Sequence, residues 1–169
     1  VRAIHKAFPK DEFATWQNYQ RFLPQVQVCA ALVDKWNMKF HAAPCVLNQA
    51  GDYLYEGDQY TEAETLYKQA LAIFKKSIGP QNRTYTTMCL YRLGNVYRAQ
   101  SKYALAESFY QQALTAKNKV WIERDQLEII ILRKLANLYQ AQSKYALAES
   151  FYQQTLTIAE KQGPKVLAN

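Results

Sequence analysis

The segment Ala99–Gln112 reads AQSKYALAESFYQQ and recurs letter for letter at Ala141–Gln154, 42 residues later. A third, diverged copy lies upstream. There Gly57-Asp-Gln-Tyr-Thr-Glu-Ala-Glu-Thr-Leu-Tyr-Lys-Gln-Ala70 places Tyr60 43 residues before Tyr103. Self-similarity at a fixed period constrains a chain more than local propensity does, because each unit leaves an apolar face that only its neighbour can cover. Function in such an array is to be sought on its surfaces rather than in one catalytic motif.

From Pro44 onward two kinds of apolar stripe alternate. Leu47, Ala50, Gly51 and Leu54 fall at helical spacing, as do Leu90, Leu93, Gly94 and Tyr97, and then Leu132, Leu135, Ala136 and Tyr139. Each stripe meets a polar turn, Glu56–Gln59, Gln100–Lys102 or Gln142–Lys144. A second helix follows, carrying Tyr60, Ala63, Tyr67 and Ala70, then Tyr103, Ala106, Tyr110 and Ala113, then Tyr145, Ala148, Tyr152 and Thr155. Small residues let two backbones approach while the facing aromatics fill the space beside them. The tyrosines are therefore expected in the core, although 13 of them could suggest a base-stacking platform.

The expected fold is all-α, a right-handed α-solenoid of antiparallel helix pairs with an array over residues 44–169 and repeats at 44–80, 87–122 and 129–163. The linker Ser77–Asn82 contains a helix-stopping Gly-Pro. The linker Lys117–Arg124 has neither residue, so the helix before it is expected to run longer. Residues 1–43 do not follow the repeat and read as a helical cap. Asp11-Glu12 starts one helix, Pro24 interrupts it, and Gln25–Trp36 continues with Val28, Ala31 and Leu32 on an apolar side. The opposite end stops soon after Gly163-Pro164, and the chain begins at Val1. Both features suggest a piece of a longer protein with further repeats.

Composition removes several function classes. At 49% hydrophobic and 21% charged the chain is suited to a packed core, and no apolar run approaches the roughly 20 residues that span a bilayer. Cys29, Cys45 and Cys89 lack metal-ligand spacing and read as buried thiols of a reducing, cytoplasmic protein. His5 and His41 have no plausible nucleophile partner, and the five glycines form no phosphate-cradling loop. No catalytic residue, metal or cofactor is expected. The net charge of +7 is spread over mostly isolated cations, with Lys75-Lys76 and Arg133-Lys134 the adjacent pairs, as on a solvated helical surface.

The Leu/Gly–Tyr stripe of the first helices and the Tyr–Ala–Tyr–Ala series of the second resemble tetratricopeptide repeats. The spacing near 42, with Leu93–Leu114 and Tyr67–Pro80 as they stand, is similar to the longer kinesin-light-chain variety, and the resemblance covers residues 44–162. Thr155, in place of a small Ala, and Trp121, in place of the Gly-Pro linker, depart from that pattern. The order Val1-Arg-Ala-Ile, Phe13-Ala-Thr-Trp, Arg21-Phe-Leu-Pro, then Leu47–Tyr55 resembles the junction of bacterial signalling ATPases, where an NB-ARC region precedes a tetratricopeptide sensor.

The resemblance implies a non-catalytic module that takes a peptide or protein in a concave groove lined by the first helices, as the sensor or scaffold part of a larger signalling protein. Carried over by position, the groove set is Asn48, Gln49, Asp52 and Tyr55, then Tyr91, Arg92, Asn95 and Arg98, then Arg133, Lys134, Asn137 and Gln140. Asn can bond both groups of a peptide backbone, Arg can fork onto carboxylates, and Tyr supplies rigid contact area. Four cations against one Asp favour acidic segments. Two alternatives are a nucleic-acid-binding helical repeat and self-association through the uncapped carboxy-terminal end. Repeat-by-repeat base reading is disfavoured because the groove position varies as Asp52, Asn95 and Asn137.

Overall fold

The computed structural model describes residues 42–76, 80–116 and 124–162, with the single positions 24, 28 and 32. Six helices make up the described array: α1 (Ala42–Glu56), α2 (Tyr60–Lys76), α3 (Pro80–Ala99), α4 (Tyr103–Ala116), α5 (Arg124–Ala141) and α6 (Tyr145–Gln162). They pack as the pairs α1–α2, α3–α4 and α5–α6, with α2 against α3 and α4 against α5. The fold is an all-α solenoid of helix pairs. The amino-terminal cap lies outside the described residues except for Pro24, Val28 and Leu32, which are helical and exposed. The linker at Lys117–Glu123, Trp121 and Cys29 also lie outside them. No described helix is long and apolar enough to cross a membrane.

Local sequence sets the helix ends. Pro80 opens α3, where its missing N–H costs nothing, and Lys75 and Lys76 stand in the last turn of α2, where the helix dipole favours cations. The three turns inside the pairs are copies of one another. Asp58, Ser101 and Ser143 each adopt φ of 59°. The amide of the next residue reaches back five positions, as Gln59 to Leu54, Lys102 to Tyr97 and Lys144 to Tyr139, at 2.8–2.9 Å. This is the Schellman geometry, which satisfies carbonyls that would otherwise be orphaned at the helix end.

Within each pair the core is built from a tyrosine lying on a small residue. Tyr67 and Tyr110 are fully buried. A Cβ added to Gly51 would meet the Tyr67 ring at 2.6 Å, and one added to Gly94 would meet the Tyr110 ring at 2.5 Å. Close approach therefore requires glycine at both positions. In the third pair Ala136 takes the glycine position, and Tyr152 is only half-buried. The Thr155 hydroxyl donates to the Phe151 carbonyl at 2.9 Å, so this departure from Ala is satisfied within its own helix.

A second tyrosine joins each pair to the next. Tyr97 donates to Glu64 at 2.8 Å, and Tyr139 donates to Glu107 at 2.7 Å. Each ring stacks on a phenylalanine of its own pair, Tyr97 on Phe109 at 5.1 Å and Tyr139 on Phe151 at 5.4 Å. Burial works against the Glu64 carboxylate, but hydrogen bonds from Lys68 and Tyr97 prevail and hold it below the usual range. Burial and the bond to Glu107 push Tyr139 up to about 12. The α2–α3 joint also carries a Phe74–Tyr85 stack at 4.9 Å, and their repeat equivalents, Lys117 and Leu127, cannot stack. Among the described residues the joint between α4 and α5 is the thinner one. Beyond it, Leu156 on α6 is 61% exposed where its equivalent Leu71 is 8% exposed, since no described helix covers α6.

The left-handed turn residues give a direct test. Left-handed backbone costs a non-glycine residue about 1–2 kcal/mol, of which glycine's greater unfolded-state entropy takes back part. Ser101→Gly and Ser143→Gly should each raise stability by about 0.5–1 kcal/mol in urea unfolding, with the denaturant slope unchanged. A loss of stability would contradict the turn assignment. Asp58 is left out because its Oδ1 also accepts from the Tyr60 hydroxyl at 2.5 Å.

Candidate partner-binding groove

The first helices α1, α3 and α5 share a cavity of about 300 Å³. Asp52 and Tyr55 line it from α1, Met88, Tyr91, Arg92 and Asn95 from α3, and Leu127 and Ile130 from α5, with Tyr67 reaching in from α2. Five of the sequence-derived positions therefore line one opening. Its remaining walls are mostly apolar or aromatic, with Asp52, Arg92 and Asn95 supplying polarity.

The position shared by Asp52, Asn95 and Asn137 has a structural duty that sequence reasoning did not reveal. Each accepts the hydroxyl of the second-helix tyrosine 15 residues on: Tyr67 onto Asp52 at 2.7 Å, Tyr110 onto Asn95 at 2.7 Å and Tyr152 onto Asn137 at 2.6 Å. The oxygens of Asn95 and Asn137 are thus engaged within the fold, and their amide nitrogens remain the groups suited to donate. Gln140 adds a second acceptor to the Tyr152 hydroxyl at 3.0 Å. Burial raises the Tyr67 and Tyr110 hydroxyls above their ordinary range, so both are neutral donors at physiological pH.

The first joint of the groove is electrostatically closed. Arg92 forks onto Asp52, with Nε to Oδ1 at 2.5 Å and Nη2 to Oδ2 at 2.7 Å. Asp52 and Arg92 thereby hold α1 and α3 in register. A further ion pair, Lys68–Glu64, lies within α2. Arg98, Arg133 and Lys134 have no such partner among the described residues. The Arg98 Nε is buried without a hydrogen-bond acceptor. Burial first, then the positive charges of Arg98 and Arg133, lower the Lys134 ammonium below its ordinary range.

Two expected groove residues are less accessible than their positions imply. Asn48 is only 5% exposed and accepts the Cys89 thiol at 3.2 Å, so it belongs to the α1–α3 interface and not to the open surface. Gln49 is half-buried, and its Oε1 is buried with no partner. Tyr55 packs on Tyr60 at 5.5 Å, Tyr91 packs on Tyr110 at 6.2 Å, and Arg133, Asn137 and Gln140 are exposed. Met88, Leu127 and Ile130 were missed. A signal for two of them was present, since Cys45, Met88 and Ile130 form an apolar series at the repeat spacing, outside the leucine stripe.

The thiols behave as packing groups. Burial raises Cys45, and it pushes Cys89 up to about 11. Both are free. Among the described residues no group of three or more His, Cys, Asp or Glu could hold a metal ion.

Paired helices stacked in series, with a cleft across successive first helices, define the helical-repeat class of scaffold. The chain belongs to the tetratricopeptide repeat family, whose model matches residues 43–119 and again 86–161. Members of this family generally serve as protein–protein interaction scaffolds, and their repeats typically bind proteins or peptides. The fold is similar to that of BtubC (BKLC) from P. vanneervenii, with a TM-score of 0.73 at 14% identity over 88% of this chain. The match spans 59% of that protein's length. It is also similar to a kinesin-light-chain-like protein of Podosopora anserina with nearly identical TPR-like repeats. There the TM-score is 0.66 at 18% identity, over 88% of this chain and 71% of the other. No curated protein matches the chain in sequence.

Removing the Asp52 charge tests the closed joint. Asp52→Asn keeps an acceptor for Tyr67, as Asn95 does for Tyr110, and removes only the ion pair. The pair is partly exposed, so the expected loss is about 1 kcal/mol in urea unfolding, shrinking at high salt. A salt-independent loss would contradict the ion-pair account.

Proposed function

We propose that this chain is a non-catalytic protein-binding module that receives a peptide or protein segment along the face of α1, α3 and α5. The observation that carries this reading is the cleft shared by three successive first helices, where apolar walls lie beside cations. Met88, Leu127 and Ile130 offer contact area for an apolar side chain. Arg98, Arg133 and Lys134 stand beyond it without carboxylate partners among the described residues. Such a surface favours acidic segments through complementary charge, which governs specificity and encounter rate more than total affinity. The likeness of residues 1–55 to the junction of NB-ARC signalling ATPases supports a place as the sensor part of a larger cytoplasmic signalling protein.

Charge reversal is the test. Arg98→Glu with Arg133→Glu should weaken binding to an immobilised library of acidic peptides at least tenfold while leaving the helical circular dichroism unchanged. Unchanged retention of that library would contradict the proposal.

A further inference from the structure

The two joints of the groove are built on the same plan but filled differently. In the first, the α1 position Asp52 faces the α3 position Arg92, and the two form a forked ion pair. The corresponding residues of the second joint are Asn95 on α3 and Lys134 on α5. The carboxylate has become an amide while the cation has stayed a cation. Asn95 still accepts the tyrosine hydroxyl, as Asp52 does, so the exchange leaves the scaffold bond intact and removes only the counter-charge.

Other groups mark the same place. Asn95 and Ile130 line the shared cavity, and Arg98 and Lys134 stand one helical turn beyond them on α3 and α5. The Arg98 Nε–H is buried with no acceptor, while the guanidinium as a whole bears on the Tyr110 hydroxyl. Buried donors are nearly always satisfied, so a guanidinium N–H without an acceptor, near an ammonium that has no carboxylate partner among the described residues, is consistent with a place for an anion. Arg133 lies exposed next to them. At the first joint Arg98, Lys134 and Arg133 correspond to Tyr55, Arg92 and Tyr91, and the one cation among these, Arg92, is already paired with Asp52. The cluster is therefore one localised site and not a stripe along the array.

We propose that this second joint binds a phosphate monoester, carried on a phosphorylated side chain of the partner segment, between Arg98 and Lys134. The inference rests on the peptide-binding reading above and narrows it. Three cations without a carboxylate partner among the described residues suit a group of charge near −2 with three acceptor oxygens better than a single carboxylate. The ammonium acts as a point charge, and the guanidinium offers its directed N–H groups. A nucleic-acid backbone presents singly charged phosphates in series and would call for free cations repeated along the groove, which Tyr55 and an Arg92 already paired with Asp52 do not supply.

The test uses the full chain labelled with ¹⁵N. The side-chain Nε–H resonance of Arg98 is followed during titration with inorganic phosphate and, at matched ionic strength, with acetate. In parallel, degenerate peptide libraries fixed at one position as phosphoserine, glutamate or serine are applied to the immobilised chain, alongside an oligouridylate RNA. A saturable Arg98 shift with phosphate, at least tenfold weaker with acetate, is expected. So is at least tenfold enrichment of the phosphoserine library over the glutamate one. Both responses should be lost in Lys134→Ala and in Asn95→Asp. The latter fills the site with the protein's own carboxylate, copying Asp52, and its melting temperature should not fall.

Equal drift with both anions, or an undiminished response in Asn95→Asp, would overturn the phosphate site. Preferential retention of the RNA would overturn it in favour of a nucleic-acid surface. Retention of the glutamate library without a phosphate response would overturn the site and leave the peptide groove standing. A phosphate response without retention of any library would overturn the peptide groove, and with it the claim that a peptide carries the phosphate.

Discussion

The arrangement depends on one hydrogen bond made three times, from a second-helix tyrosine to the Asp or Asn of its own first helix, 15 residues earlier. For Tyr67 and Tyr110 the bond lies at the end of a ring seated on Gly51 or Gly94, where even a methyl group would collide. Burying an aromatic ring this way contributes apolar area, and the hydroxyl must then find a partner or carry a desolvation cost. The Asp or Asn meets that need and in doing so is held on the groove face of its helix. Scaffold and candidate recognition surface therefore share the same residue.

Joining the pairs is the work of a different tyrosine. Tyr97 and Tyr139 each reach back to a glutamate of the preceding second helix while stacking on a phenylalanine of their own pair. This link is common to both joints; the groove above it is not. The first joint is closed by Asp52 and Arg92, and the second leaves Arg98 and Lys134 without a carboxylate partner among the described residues. Near-identical repeats give a regular frame, and small departures from identity place chemistry at one point along it. The letter-for-letter repeat of Ala99–Gln112 in Ala141–Gln154 contributes mainly frame, since it falls on turns and second helices.

Much of this frame was legible from residues alone. The period identified the helix pairs, the polar triplets identified the turns, and the Tyr–Ala series identified the packed second helices, because burial repeats wherever the sequence does. The roles of the polar positions were not legible. Asn48 lies at a groove position yet is buried against Cys89, and Asn95, whose amide could bond both groups of a peptide backbone, has its oxygen engaged by Tyr110. Helical periodicity gives the direction of a side chain to within a face, but not which neighbouring helix has already claimed its polar atoms. Met88, Leu127 and Ile130 were missed for a related reason: an apolar residue at helical spacing reads as core until the gap between three helices is seen.

The most direct measurement is a double-mutant cycle on Tyr110 and Asn95 in urea unfolding, using Tyr110→Phe, Asn95→Ala and the two combined. If the tyrosine–asparagine bond locks each pair, the two changes should couple by about 1 kcal/mol, the double variant losing less stability than the sum of the singles. Strictly additive losses would contradict it.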